Sequence, residues 1–94
     1  MMGYTRQEAA TLLPDILELA RTMIDIESIS GNELGMAHFL RDLLTPLGWR
    51  ITLQEVAPNR CNLLARRQKD QPRLIFNSHI DTVPPFFPSS IDGP

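Results

Sequence analysis

Leu74-Ile75-Phe76 is apolar at three successive positions and runs straight into Asn77-Ser78-His79-Ile80-Asp81. Neighbouring side chains of a strand point to opposite faces, so a run without polar alternation needs apolar cover on both sides. Helices on each face of a sheet meet that need; a sheet with one wet face does not. Only two helices can be read upstream, too few for a chain of 94 residues to enclose such a strand by itself. The stretch that follows, PPFFPSSIDGP, carries four of the eight prolines and is expected to be an irregular loop over residues 84–94. The predicted class is α/β: two N-terminal helices followed by strands of a mixed sheet. Residues 1–94 are then expected to be the opening, incomplete part of a larger domain.

The two helices have separate start signals. Thr5-Arg6-Gln7-Glu8 has the S/T-x-x-E form of a capping box. Leu13, Ile16, Leu17, Ala20, Met23 and Ile24 then recur at helical spacing. Pro14 interrupts that stripe, which predicts a lead-in turn and a main helix beginning near the proline. Ser30-Gly31-Asn32-Glu33 repeats the capping-box pattern ahead of Met36, Phe39, Leu40, Leu43, Leu44 and Leu47. Pro46 argues for an early stop to this second helix, and Gly48 lies where a left-handed C-terminal cap favours glycine.

Downstream the period changes. Trp49, Ile51 and Leu53 alternate with Arg50, Thr52 and Gln54, as in a strand with one wet face. Ala57-Pro58-Asn59-Arg60 breaks it, and Cys61 to Arg66 reads as a second strand. Gln68-Lys69-Asp70-Gln71-Pro72 is a charged turn before the Leu74-Ile75-Phe76 strand.

Nine Lys and Arg against eleven Asp and Glu give a net charge of −2, which offers no footprint for nucleic acid or an anionic membrane. Apolar residues at 43% beside 21% charged residues exclude a disordered chain, and no apolar run approaches a membrane span. The opening MMGYTRQEAA lacks a basic-then-apolar secretory layout, and the single cysteine cannot close an internal disulfide. Both point to the cytoplasm.

His79-Ile80-Asp81 is the constellation most suited to chemistry. Residues i and i+2 of an extended segment share a face, so imidazole and carboxylate project together. Open α/β sheets place ligand sites outside the carboxyl ends of their strands. There a neutral imidazole is a good Zn²⁺ ligand, and a carboxylate behind it fixes the ring's tautomer. The alternative is a strand-end histidine hydrogen-bonded to a local turn aspartate, and residue types alone leave both open. His38, beside the second helix's stripe, reads as a boundary residue, and Cys61 as a small buried apolar group. Asp25, Glu27 and Glu33 are explained by solvated helix ends and a capping box. Arg66-Arg67 with Lys69 reads as a solvated face. Phe86 and Phe87 are expected to pack on a further part of the domain.

Ser78-His79-Ile80-Asp81-Thr82-Val83-Pro84 resembles the metal-binding strand end of the M20 family of metallohydrolases, and Ile29-Ser30-Gly31-Asn32-Glu33 resembles that family's segment between its first two helices. The continuation Pro85-Phe86-Phe87-Pro88 is most similar to acetylornithine-deacetylase-like members. The resemblance spans essentially the whole chain. It implies a zinc-hydrolase catalytic domain in which His79 ligates one metal ion and Asp81 is the catalytic aspartate that hydrogen-bonds it. It further implies two Zn²⁺ per complete site, with Co²⁺ or Mn²⁺ as substitutes, a bridging aspartate and a general-base glutamate outside this sequence. The implied reaction is hydrolysis of an amide bond in an N-acyl amino acid or small peptide, in proteins that are often homodimers. By the same reasoning the isolated chain is expected to be inactive. The reading from another class is a free-standing, non-enzymatic binding or assembly module derived from such an enzyme.

Overall fold

A computed structural model of the chain describes residues 15–67 and 71–92. The capping box at Thr5–Glu8, the lead-in to Pro14 and turn residues 68–70 lie outside these. The described elements run helix α1 (Ile16–Ile24), helix α2 (Leu34–Leu44), a single 3-10 turn (Thr45–Leu47), strand β1 (Arg50–Ala57) and strand β2 (Arg60–Arg66).

Asp15 caps α1, its carboxylate accepting the Glu18 N–H at 2.9 Å, so the helix starts just after Pro14 as its pattern requires. Its apolar stripe is on the surface: Ile16, Leu17 and Ile24 are all exposed. α2 ends at Leu44, where the chain tightens into the 3-10 turn that contains Pro46. A ring nitrogen cannot donate into the α-helical ladder, which accounts for the stop. Gly48 then takes φ 95°, returning its N–H to Thr45 O at 3.1 Å while Trp49 N–H reaches Leu44 O at 3.3 Å. A β-carbon at that φ meets the following carbonyl. Gly48→Ala is therefore expected to lower stability by about 1–2 kcal/mol, read as a shift in urea midpoint at unchanged slope.

β1 and β2 form an antiparallel hairpin with Ile51 opposite Ala65 and Leu53 opposite Leu63. These four are the half-buried inner face, with Cys61 fully buried beyond them. Asn59, one of the few residue types that tolerates the left-handed region, turns the hairpin at φ 62°, and the register shifts between Glu55 and Ala57. α2 lies against both strands. Met36, Ala37, Leu47 and Cys61 make up the buried apolar set among the described residues.

The structure corrects the sequence reading at two places. Leu74, Ile75 and Phe76 form no strand and are 70%, 75% and 88% exposed. A third strand needs a ladder partner and cover, and the described residues supply neither. Among the described residues the sheet is the two-stranded hairpin, and parallel pairing is limited to an isolated bridge between Ile29 and Thr82. The second correction concerns the capping box at Ser30–Glu33. Glu33 is the residue before α2 and makes no side-chain cap bond. Its Oε1 accepts from Gly31 N–H at 2.9 Å and from Arg60 Nη2 at 3.1 Å, and Oε2 accepts from Arg60 Nε at 3.3 Å. A guanidinium fork is a stronger partner for a carboxylate than a helix-end amide, and Glu33 is buried by it, 4% exposed, where a solvated helix end was expected. Residues 83–92 carry no helix or strand. No helix among the described residues is long and apolar enough to cross a membrane.

Candidate functional site

The bridge between Ile29 and Thr82 assembles the site. Segments 28–30 and 80–82 lie side by side, with Thr82 N–H donating to Ser28 O at 2.8 Å and Ser30 N–H donating to Thr82 O at 3.1 Å. The buried Ser28 hydroxyl donates to Ile80 O at 2.7 Å. His79 and Asp81 meet on one side of their segment, as their spacing predicts. His79 Nδ1 lies 3.0 Å from Asp81 Oδ1 and 3.0 Å from Asp81 backbone O.

That geometry fixes the chemistry of the ring. An ionised carboxylate and a carbonyl only accept hydrogen bonds, so Nδ1 carries a proton, and in the neutral imidazole that leaves the lone pair on Nε2. The imidazole is 82% exposed and presents Nε2 to solvent. Asp81 is itself held: Ser30 Oγ donates to its Oδ2 at 2.6 Å. The Ser30 hydroxyl, then the His79 contact, hold its carboxyl below the ordinary 3.8. Ser30, Asp81 and His79 thus form a line, with the carboxylate in the middle. A nucleophilic serine needs the imidazole as its immediate neighbour to take its proton. Ser30 has only the carboxylate, so this line orients the imidazole and does not activate the serine.

A divalent metal ion of the kind the M20 resemblance implies would fit this arrangement at one ligand. A free Nε2 with a carboxylate behind Nδ1–H is the form in which histidine binds zinc. Among the described residues no three His, Cys, Asp or Glu side chains gather to hold a metal, and a catalytic zinc takes three protein ligands. His79 offers one of the three nitrogen or oxygen ligands such a site would need.

The other singled-out residues lie elsewhere. His38 is half-buried on α2. Cys61 is buried, and burial, followed by the charges of Glu33 and Glu55, pushes its thiol up, away from reactivity. Asp25 does more than end a helix: its carboxylate accepts the Ser89 N–H at 2.6 Å and the Ser89 hydroxyl at 3.0 Å, and Arg21 Nε donates to Ser89 Oγ at 3.2 Å. The proline-rich segment is pinned to α1 by this contact. Arg67 stacks 5.2 Å over the Trp49 ring, and Phe86 is half-buried while Phe87 is exposed. Ser28 and Ser30 are the site residues that sequence reasoning passed over. Their signal was an i, i+2 pair facing a second i, i+2 pair, His79 and Asp81, but nothing in the sequence pairs the two segments.

Three carboxyls have folded pKa values below their ordinary ones: Asp81 through Ser30 and His79, Asp25 through the Ser89 N–H and hydroxyl, and Glu33 through the Gly31 N–H and Arg60. Their stabilisation is complete above the ordinary values of 3.8 and 4.5 and is lost as pH falls through the lower folded values. Urea melts are expected to be flat from pH 7 to 5 as far as these groups go and to weaken below about pH 4. Asp25→Asn should flatten part of that acid limb.

Sequence comparison gives the family. A probable carboxypeptidase of Aspergillus clavatus is 38% identical over 92 residues, which cover 95% of this chain and 20% of that protein. A peptidase M20 domain-containing protein of Schizosaccharomyces pombe is 36% identical over 90 residues, covering 88% of this chain and 22% of that protein. The chain belongs to the M20 peptidase family. A probable carboxypeptidase of Arthroderma otae is 36% identical over 92 residues, covering 85% of this chain and 20% of that protein. This M20 chain therefore spans about a fifth of the length of the curated relatives it matches. No family model matches the chain, and no solved structure matches it.

Proposed function

We propose that this M20 chain contributes His79 and Asp81 to a metal-dependent site that hydrolyses an amide bond in a small peptide or an N-acyl amino acid. The observation that carries the reading is the imidazole of His79, its Nδ1–H anchored on Asp81 and its Nε2 open to solvent. The carboxypeptidase names of the relatives favour a peptide substrate, and the SHxDTVPP continuation at residues 78–85 keeps an acetylornithine-like N-acyl substrate as the second class.

His79 is the ligand for one of two Zn²⁺, or Co²⁺ or Mn²⁺ in their place. Asp81 selects the Nδ1–H tautomer and holds the ring's orientation, so that in the neutral imidazole Nε2 is the nitrogen available to a metal, and its negative charge strengthens that nitrogen as a donor. When bound, the metal pair polarises the scissile carbonyl and makes a bound water nucleophilic near neutral pH. The bridging carboxylate and the general base are expected from residues outside this sequence, so residues 1–94 alone form an incomplete part of the catalytic domain and do not turn over substrate. A reducing cytoplasm suits the buried thiol of Cys61, and a homodimer is the expected assembly.

Assaying the 94-residue chain and the complete protein with N-acetylornithine and a panel of dipeptides, with added Zn²⁺, tests the reading. Turnover is expected from the complete protein only, and it should be lost on chelation. Turnover by the 94-residue chain above its own His79→Ala variant would contradict it.

A further inference from the structure

Segment 28–30 touches every residue of 80–82. Ser28 takes Ile80 O through its hydroxyl and Thr82 N–H through its carbonyl; Ser30 takes Thr82 O through its N–H and Asp81 Oδ2 through its hydroxyl. Three of these four contacts end on backbone and hold the segment's path. The fourth ends on the carboxylate that faces His79. A carboxylate rotates about its terminal bond with a broad preference, so one fixed oxygen decides where the other points. With Oδ2 held at 2.6 Å by Ser30, Oδ1 is left facing Nδ1 at 3.0 Å.

Ser30 is in turn fixed from its far side. Gly31 follows it at φ 96° and donates its N–H to Glu33 Oε1, which Arg60 clamps from the hairpin turn. The hairpin, the start of α2 and the Asp81 carboxylate are joined through this residue.

We propose that Ser30 is a positioning residue for His79, acting through Asp81: its hydroxyl sets the carboxylate rotamer that keeps the imidazole in the Nδ1–H form with Nε2 free for a cation. This rests on the proposed metal site and adds a residue to it. Ser30 itself touches neither metal nor substrate.

The test reads the His79 tautomer by imidazole ¹⁵N NMR in the metal-free complete protein at pH 8, with the signal assigned by its loss in His79→Gln. Wild type is expected almost wholly in the Nδ1–H form. Ser30→Ala is expected to give a mixture of tautomers and to weaken Zn²⁺ binding by about 10–100-fold, the range seen when such outer partners are removed. Ser30→Thr, which keeps the hydroxyl, should restore both. Ser28→Ala, which removes a backbone contact only, should lower the melting temperature and leave the tautomer alone. If Ser30→Ala does not fold, Ser30→Val, the same shape as the threonine variant but without a donor, gives the same reading. A folded alanine or valine variant with wild-type tautomer and wild-type Zn²⁺ affinity overturns the proposal. A shifted tautomer in a protein that binds no Zn²⁺ in any form would uphold the role of Ser30 in placing the ring and remove the metal site it was placed for.

Discussion

His79→Ala in the complete protein is expected to lower the rate of metal-dependent amide hydrolysis by on the order of 100-fold or more, with the loss traceable to metal occupancy. Removing the imidazole deletes a ligand outright, and no neighbouring His, Cys, Asp or Glu among the described residues is gathered to replace it. Asp81→Asn keeps the shape but substitutes an amide that can turn either its oxygen or its NH₂ towards Nδ1. A smaller loss, about 10–100-fold, is expected there, carried mainly by weaker metal binding. His38→Ala supplies the control: that side chain is half-buried on α2 and lies outside the line Ser30–Asp81–His79. Metal content by atomic absorption, measured on the same preparations as the rates, checks the order wild type, His38→Ala, Asp81→Asn, His79→Ala. A His79→Ala protein that keeps full zinc content and full rate is the contrary result.

The largest stability effect is expected at Met36. It sits on α2, only 6% exposed, in the small apolar set that fixes the helix against the hairpin. Truncation removes apolar contacts and leaves a cavity, at a cost of about 2–4 kcal/mol. Folded proteins are held by roughly 5–15 kcal/mol in all, so a single truncation removes a substantial share. Val56, 61% exposed at the hairpin bulge, provides the contrast: Val56→Ser should change stability by no more than about 0.5 kcal/mol. Urea denaturation of the two variants side by side checks the difference. Equal midpoints would mean that α2 is not docked through Met36.

Local structure was legible wherever one residue decides it. Gly48 at φ 95° and the alternation at Ile51 and Leu53 follow from short-range chemistry that the sequence displays, while Asp15, which caps the first helix, was passed over. Glu33 was misread because its partner, Arg60, lies 27 residues away, and the S-x-x-E spacing admits a local explanation that a distant guanidinium outbids. Leu74-Ile75-Phe76 was misread because apolar succession reports a need for cover without showing that cover is present. The pairing of His79 with Asp81 was visible from their spacing. The role of segment 28–30 was not, because a bridge between residues 29 and 82 is non-local and leaves no periodic mark.

The most direct measurement is a crystal structure of the complete protein with zinc, using anomalous scattering to locate the metal. The account predicts a peak about 2.0–2.1 Å from His79 Nε2, with Nδ1 still on the Asp81 carboxylate. A metal centre to which His79 contributes no nitrogen, or which it binds through Nδ1 with Asp81 turned away, would contradict it.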